Sequence, residues 1–373
     1  MTWSDYTTQE YLLNSKFAAA HFPHPSYLSV SCMTYLLISS KIHWPNKDSF
    51  PPFLHYAAEF WGKHLHQIGA TRRSSTTNEL ALKLLQSKPA VQLLGDLLWV
   101  FENASALHLC SYFGLDDMLE SVMTLTTGLL LNVNSQNAHG CTPLYLGAQN
   151  GHEDIVRLLL GRDDVDVNLP DAFGSTPVFI AAYRGHDKIV KLLIEREDVN
   201  INSRDGDGWT PLMAAAFSGC TAIVQLLLTR EDVQVNASDA GGQTALFIAA
   251  ENEDEGSGTV RLLVERDDVD VNSRDKGGWT PLLLAADWGH EAVVRSLLAR
   301  DDLDGVDVNL MDNHGQTPLI AAASNGYEGV VQLLLARDTI NIHAVNDYGQ
   351  TALLAATQKG HTNIVRMLRL KEF

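Results

Sequence analysis

Two stretches, Asp164-x-Asp166-x-Asn168 and Asp268-x-Asp270-x-Asn272, begin as a calcium loop begins. Such a loop alternates oxygen ligands, turns sharply on a glycine at its sixth position and closes on a glutamate at its twelfth. Here the sixth positions are Leu169 and Ser273 and the twelfth are Ser175 and Trp279, so neither stretch is expected to hold the ion. His21 with His24, or His64 with His66, have no cysteine partners and sit in no H-E-x-x-H helix, which argues against zinc. No G-x-S-x-G elbow presents a serine nucleophile. No Gly-Lys-Ser or Gly-Lys-Thr closes a phosphate-binding loop, since Gly62-Lys63 runs into His64 within a helical pattern. His152, His186, His290 and His361 each follow a glycine at recurring intervals, which makes them structural first. No catalytic residue, metal ligand or cofactor is assigned, and the chain is read as no enzyme.

Charge narrows the partners. The first hundred residues hold 8 Lys+Arg against 6 Asp+Glu and the remainder 19 against 39, so residues 101–373 carry a net charge of −20. A surface of that sign repels phosphate backbones, and direct nucleic-acid binding is not expected. The start, "MTWSDYTTQE", lacks the basic and apolar runs of a secretory signal, and the apolar stretch around Tyr27 to Ile38 is too short for a bilayer. Cys32, Cys110, Cys141 and Cys220 have no C-x-x-C spacing and read as thiols of a reducing compartment, which leaves the sequons at Asn103 and Asn236 as chance matches. The expectation is a monomer in the cytoplasm, with the nucleus as the second compartment and no membrane contact.

The elements that must position any functional residue come from a repeat. Thr142, Thr176, Thr210, Thr244, Thr280, Thr317 and Thr351 each open a Thr-Pro or Thr-Ala step, at spacings of 34, 34, 34, 36, 37 and 34. The threonine is a helix N-cap, and proline after it suits a first turn that needs no donor. A short helix then crosses a small-residue pair such as Ala181-Ala182 and stops at a glycine such as Gly185. A second amphipathic helix follows, as in "HDKIVKLLIER", and then β-branched residues and an Asp/Gly turn read as a hairpin-like projection. An eighth, degraded copy opens at "SALHLCSYFG", with Ser105 in the threonine position. Two units are longer, at "ENEDEGSGTV" and "DDLDGVDVN", where solvated connecting loops are expected.

This unit resembles the ankyrin repeat, whose pattern D-x-x-G-x-T-P-L-x-x-A-A-x-x-G-H-x-x-I-V-x-L-L-L runs through Asp171 to Ile194 and Asp312 to Leu335. The resemblance implies an all-α solenoid, helix-turn-helix plus hairpin per repeat, over residues 100–373. The degenerate unit covers about 101–136, and the repeats start near 137, 171, 205, 239, 275, 312 and 346. Arg369 stands where earlier units have Leu160, Ile194 and Leu228, so the stack is expected to end there.

Residues 1–99 read as a small helical bundle acting as a cap, with helices over "TTQEYLLNSKF", "PSYLSVSCMTYLLIS", "FPPFLHYAAEFWGKHLHQIG" and "TTNELALKLLQ", the last capped by Thr76 with Glu79. The run "TTQEYLL", "SCMTYLL" and "FLHYAAEFWGKHL" resembles the helical segment before the ankyrin array of fungal NACHT-type signalling NTPases. The phosphate-binding loop of that NTPase module is missing, which suggests a descendant without its switch or a truncated gene model.

The ankyrin resemblance implies a protein partner on the concave side, at hairpin tips and first-helix ends. Carried over position by position, this gives Phe173, Tyr183, Arg184, Trp209, Phe217, Trp279 and Trp288, with His314 and Tyr348 extending the line. Tryptophan, tyrosine and arginine dominate binding hot spots, and an acidic rim favours a partner with a basic or mixed-charge surface. The competing reading of Trp209 and Trp279 is that they pack across adjacent projections. The expected function is a non-enzymatic interaction scaffold or adaptor. The alternatives are a transcriptional co-regulator that holds a transcription factor, and a severed sensing arm of a NACHT-type NTPase.

Overall fold

The computed structural model describes residues 25–41, 52–70, 73–125, 132–252, 256–300 and 305–372. Among these are twenty α-helices and no strand, the composition of an all-α repeat solenoid. The helix expected over "TTQEYLLNSKF" lies outside the described residues. The chain divides into two compact units, Met1–Val178 with Glu195–Val199 and Phe179–Ile194 with Asn200–Phe373.

The first unit contains α1 (Pro25–Ser39), α2 (Pro52–Ile68), α3 (Ser75–Gln86), α4 (Lys88–Leu97), α5 (Ala106–Phe113), α6 (Asp116–Leu125), α7 (Pro143–Gln149) and α8 (Glu153–Leu160). The cap of α3 corrects the sequence reading: Ser74, not Thr76, accepts the N–H of Thr77 at 3.2 Å, and Glu79 accepts from Ser75 at 3.3 Å. The helix already begins at Ser75, so Thr76 lies inside its first turn, where a hydroxyl no longer has an orphan donor to meet.

Helix α2 packs on α5, the helix that follows Ser105. Trp61 is fully buried with its ring edge-on to Phe113 at 5.2 Å, and Phe101 meets Phe113 at 5.6 Å. Gly62 is glycine because the Phe113 ring occupies its side-chain space, 2.2 Å from where a Cβ would stand. Arg73 adds an ionic pin, its Nη1 donating to both carboxylate oxygens of Asp117 at 2.7 and 2.6 Å while its side chain is only 2% exposed. His66 Nδ1 meets the Gly114 carbonyl at 2.8 Å. The helices before residue 100 are thus keyed to α5 and α6 by aromatic packing and by charge.

The second unit continues from Phe179 in α9 (Pro177–Arg184) through α10 (Asp187–Ile194), α11 (Pro211–Phe217), α12 (Thr221–Leu227), α13 (Ala245–Glu251), α14 (Gly256–Val264), α15 (Pro281–Trp288), α16 (Glu291–Leu298), α17 (Pro318–Asn325), α18 (Glu328–Leu335), α19 (Ala352–Lys359) and α20 (Thr362–Lys371). First helices stack in the order α11, α13, α15, α17, α19, and second helices α10 to α20 form the other layer. Each first helix is capped as the repeat requires: Thr210, Thr244, Thr280, Thr317 and Thr351 accept the N–H three residues on, at 3.3, 3.3, 3.1, 3.2 and 3.2 Å. The alanine pairs between them, such as Ala249-Ala250 and Ala285-Ala286, are fully buried.

The recurring histidine is structural. His290 reaches the Ala250 carbonyl at 3.2 Å and His361 that of Ser324 at 3.1 Å; in the first unit His152 reaches Tyr112 at 3.0 Å. Gly326 (φ +85°) is demanded twice, by its left-handed backbone and by the His361 ring, 2.7 Å from where a Cβ would be.

The projections close as turns. Asp275 N–H donates to the Trp279 carbonyl at 3.0 Å and its Oδ1 accepts the Trp279 N–H at 2.8 Å, while among the described residues the one β-bridge joins Ser238 and Thr244. Tips are tied in series, with Ala240 N–H on Asp207, Lys276 on Gly241, Asn313 on Gly277 and Asp347 on His314, at 2.9 to 3.1 Å. Behind them Arg230 chelates Asp232 and reaches the Ile194 carbonyl at 3.1 Å, and Arg266 chelates Asp268 and reaches that of Leu228 at 3.2 Å. Asn236 bridges two repeats, donating to the Asp268 carbonyl at 2.6 Å and accepting the Asp270 N–H at 2.8 Å.

Candidate protein-binding surface

The acids that imitated calcium loops are already engaged. Arg266 holds the Asp268 carboxyl below the usual carboxylate range by hydrogen bonding it, and Asp270 Oδ1 accepts the Asn272 N–H at 3.0 Å. In the first unit Arg162 holds Asp164 in the same way, and Asp166 accepts the Asn168 N–H at 2.9 Å. These side chains turn onto an arginine or the backbone instead of converging on a point. Among the described residues no group of three histidine, cysteine or acidic side chains is placed to hold a metal, and no helix is long and apolar enough to cross a membrane.

The surface residues of the second unit follow from helix geometry. Seven positions after each capping threonine, the last turn of the first helix points a side chain outward. This line reads Tyr183, Phe217, Glu251, Asp287, Ser324 and Gln358. Tyr183 is 39% and Phe217 45% exposed, and their rings lie 5° from parallel with centroids 6.0 Å apart. Behind them Tyr183 lies parallel to buried Phe179 at 6.5 Å, and Arg184 lies 6.0 Å over the Tyr183 ring. Trp209 joins edge-on to Phe217 at 5.3 Å, but it is half-buried, with its indole N–H on Asp239 Oδ2 at 3.2 Å. Trp279 is half-buried too, its ring lying over Gly277, where a Cβ would be 2.9 Å away. Trp209 thus reaches across to the next projection, whereas Trp279 lies over its own.

One position further along, a second line shows how Trp288 is singled out. Ser218 donates to the Tyr183 carbonyl at 2.6 Å, Asn252 to that of Phe217 at 3.1 Å and Asn325 to that of Asp287 at 2.9 Å. The equivalent residue of α15 is Trp288, which has no side-chain amide or hydroxyl to offer the helix before it. It stands 48% exposed, edge-on to His290 at 5.7 Å. Trp288 therefore gives up a link that its neighbours make and presents a ring to solvent.

Tyr348, 75% exposed, and His314, also exposed, sit on projection tips. Phe173, 74% exposed, belongs to the first unit. Among the described residues no ring contact joins Trp279, Trp288 or Tyr348 to the Tyr183–Phe217 stack. Between the stack and Trp288 lie two acids: Asp287, which falls on the positions carried over from the ankyrin pattern, and Glu251, which the sequence reading did not place in the site. Asp287 is half-buried, and burial pushes its carboxyl upward against the pull of the Asn325 amide that binds it. The signal for both was their register in the repeat, which is the same as that of Tyr183 and Phe217.

The family model for ankyrin repeats (three copies) matches residues 70–171, 163–239, 231–312 and 302–372. The chain belongs to the ankyrin-repeat family, whose repeats are general protein–protein interaction modules and whose members are typically non-enzymatic scaffolds. No curated protein matches the chain.

Proposed function

We propose that this protein is a non-enzymatic adaptor that binds another protein across the first-helix ends and projection tips of its second unit. The observation that carries the reading is the stacked Tyr183–Phe217 pair together with Trp288, left 39–48% exposed in segments whose other large apolar residues are buried. Exposed aromatic rings of this kind bring large contact area at low conformational cost. The partner carries a basic or mixed-charge surface, in keeping with the acidic charge of residues 101–373. The four cysteines are free thiols, which supports action in the reducing cytoplasm.

The test is a double substitution, Tyr183→Ala with Trp288→Ala, followed by affinity capture and cross-linking mass spectrometry. Helicity should be retained, melting should fall only by the small loss of the Tyr183–Phe217 contact, and captured proteins that cross-link to this face should be lost. An unchanged set of cross-linked proteins would sink the reading.

A further inference from the structure

We infer that this face is a two-part groove selective for an extended basic segment of its partner, with an apolar side chain seated on Tyr183 and Phe217 and lysine or arginine placed against Glu251 and Asp287. The inference rests on the reading that the face binds a protein, and adds which kind of segment it takes.

The order of residues along the line is the first support. Two aromatic rings in consecutive repeats are followed by two carboxylates in the next two, and then by uncharged Ser324 and Gln358. Asn252 ties the end of α13 to the Phe217 carbonyl, and α13 packs directly on α15, so the two halves adjoin. Glu251 is exposed, and Asn325 fixes the Asp287 carboxylate at the rim by holding its Oδ1 at 2.9 Å. Trp288, next to Asp287 and 48% exposed, offers a ring to the same cation.

Charge across the fold is the second support. On the back of the repeats the acids are neutralised by their own arginines, as in Arg230 with Asp232 and Arg266 with Asp268. Glu251 and Asp287 have no arginine two residues before them, where Asp232 and Asp268 have theirs. Arg184 and Lys359 stand beside the two ends of the line, so the negative charge falls in its middle at Glu251 and Asp287, where a cationic stretch of ligand is the complement.

Geometry then sets a spacing. Packed helix axes lie about 8–10 Å apart, and an extended chain advances about 3.3 Å per residue. One repeat therefore corresponds to about three residues of ligand. A segment that places an apolar residue on Phe217 meets Glu251 about three residues away and Asp287 about six.

The experiment is selection from a phage-displayed random peptide library on the full chain, with fluorescence anisotropy on synthetic copies of enriched sequences. Enriched peptides should carry an apolar or aromatic residue with lysine or arginine about three and six positions from it. Tyr183→Ala with Phe217→Ala, and separately Glu251→Lys with Asp287→Lys, should each weaken binding at least about tenfold. The milder pair Glu251→Gln with Asp287→Asn should do so in part while keeping the melting temperature, which separates charge from folding. Peptides that depend on Tyr183 and Phe217 but lack basic residues, or ignore both acid substitutions, would overturn the inference and leave the docking reading standing. Binding indifferent to all four positions, or no enrichment at all, would overturn both. Self-association abolished by Phe217→Ala would put a second copy of the chain in the groove and refute the basic segment.

Discussion

The rings of Tyr183 and Phe217 lie 5° from parallel with their centroids 6.0 Å apart, on the last turns of first helices in successive repeats. The pair is therefore a joint between repeats as well as a surface. Offset aromatic pairs are worth about 0.5–1.5 kcal/mol beyond the area they bury. A double-mutant cycle on Tyr183→Ala and Phe217→Ala, read by urea unfolding, should return a coupling in that range. Strict additivity would show that the rings are neighbours without an energetic link.

The pin between Arg73 and Asp117 makes a different prediction. The guanidinium is 2% exposed, and it also donates from Nε to the Leu65 carbonyl at 3.1 Å. Removing one partner leaves the other charge poorly solvated, at a cost of about 3–5 kcal/mol. Asp117→Ala should lower stability by about 3 kcal/mol, whereas removing the exposed Glu59 partner of Lys63 should change it by less than about 1 kcal/mol. Urea titrations monitored by tryptophan fluorescence would compare the two.

His108 is one buried group that makes the fold acid-sensitive. It is fully buried, accepts the Ser105 N–H through Nδ1 at 3.0 Å and so donates from Nε2 to the Cys141 carbonyl at 2.9 Å. Burial lowers its pKa from 6.5 to about 4, against the partial support of the Cys141 and Ser135 carbonyls. The unfolded chain then takes up the proton first as pH falls. Stability should be complete above about pH 6.5 and decline toward pH 4, by a total on the order of 3 kcal/mol for this group. Urea midpoints across that window should fall for the native chain, and a His108→Gln variant should show a shallower decline.

What the sequence made legible is local chemistry repeated at a fixed interval. Thr210, Thr244, Thr280, Thr317 and Thr351 cap their helices because a hydroxyl three residues from an orphan N–H needs no distant partner. The arginine clamps were missed although Arg-x-Asp recurs at Arg162, Arg196, Arg230 and Arg266, because half of the clamp at Arg196, Arg230 and Arg266 is a carbonyl 36 to 38 residues earlier. The candidate surface was harder still. The sequence left both packing and exposure open for Trp209, and it is Asp239 of the next projection that draws its indole in. Whether a ring faces water is decided by what the neighbouring repeat offers it.

The Asn236 and Asn272 amides bear on mechanics. Asn236 joins the carbonyl of Asp268 and the N–H of Asp270, and Asn272 makes the equivalent links to Gly305 and Asp307 although its unit is longer. Tension applied along the second unit would load such clasps one after another, each shared by only two adjoining layers. The unit would pay out under force in steps of one repeat, as a chain of weak links, in place of rupturing in a single event.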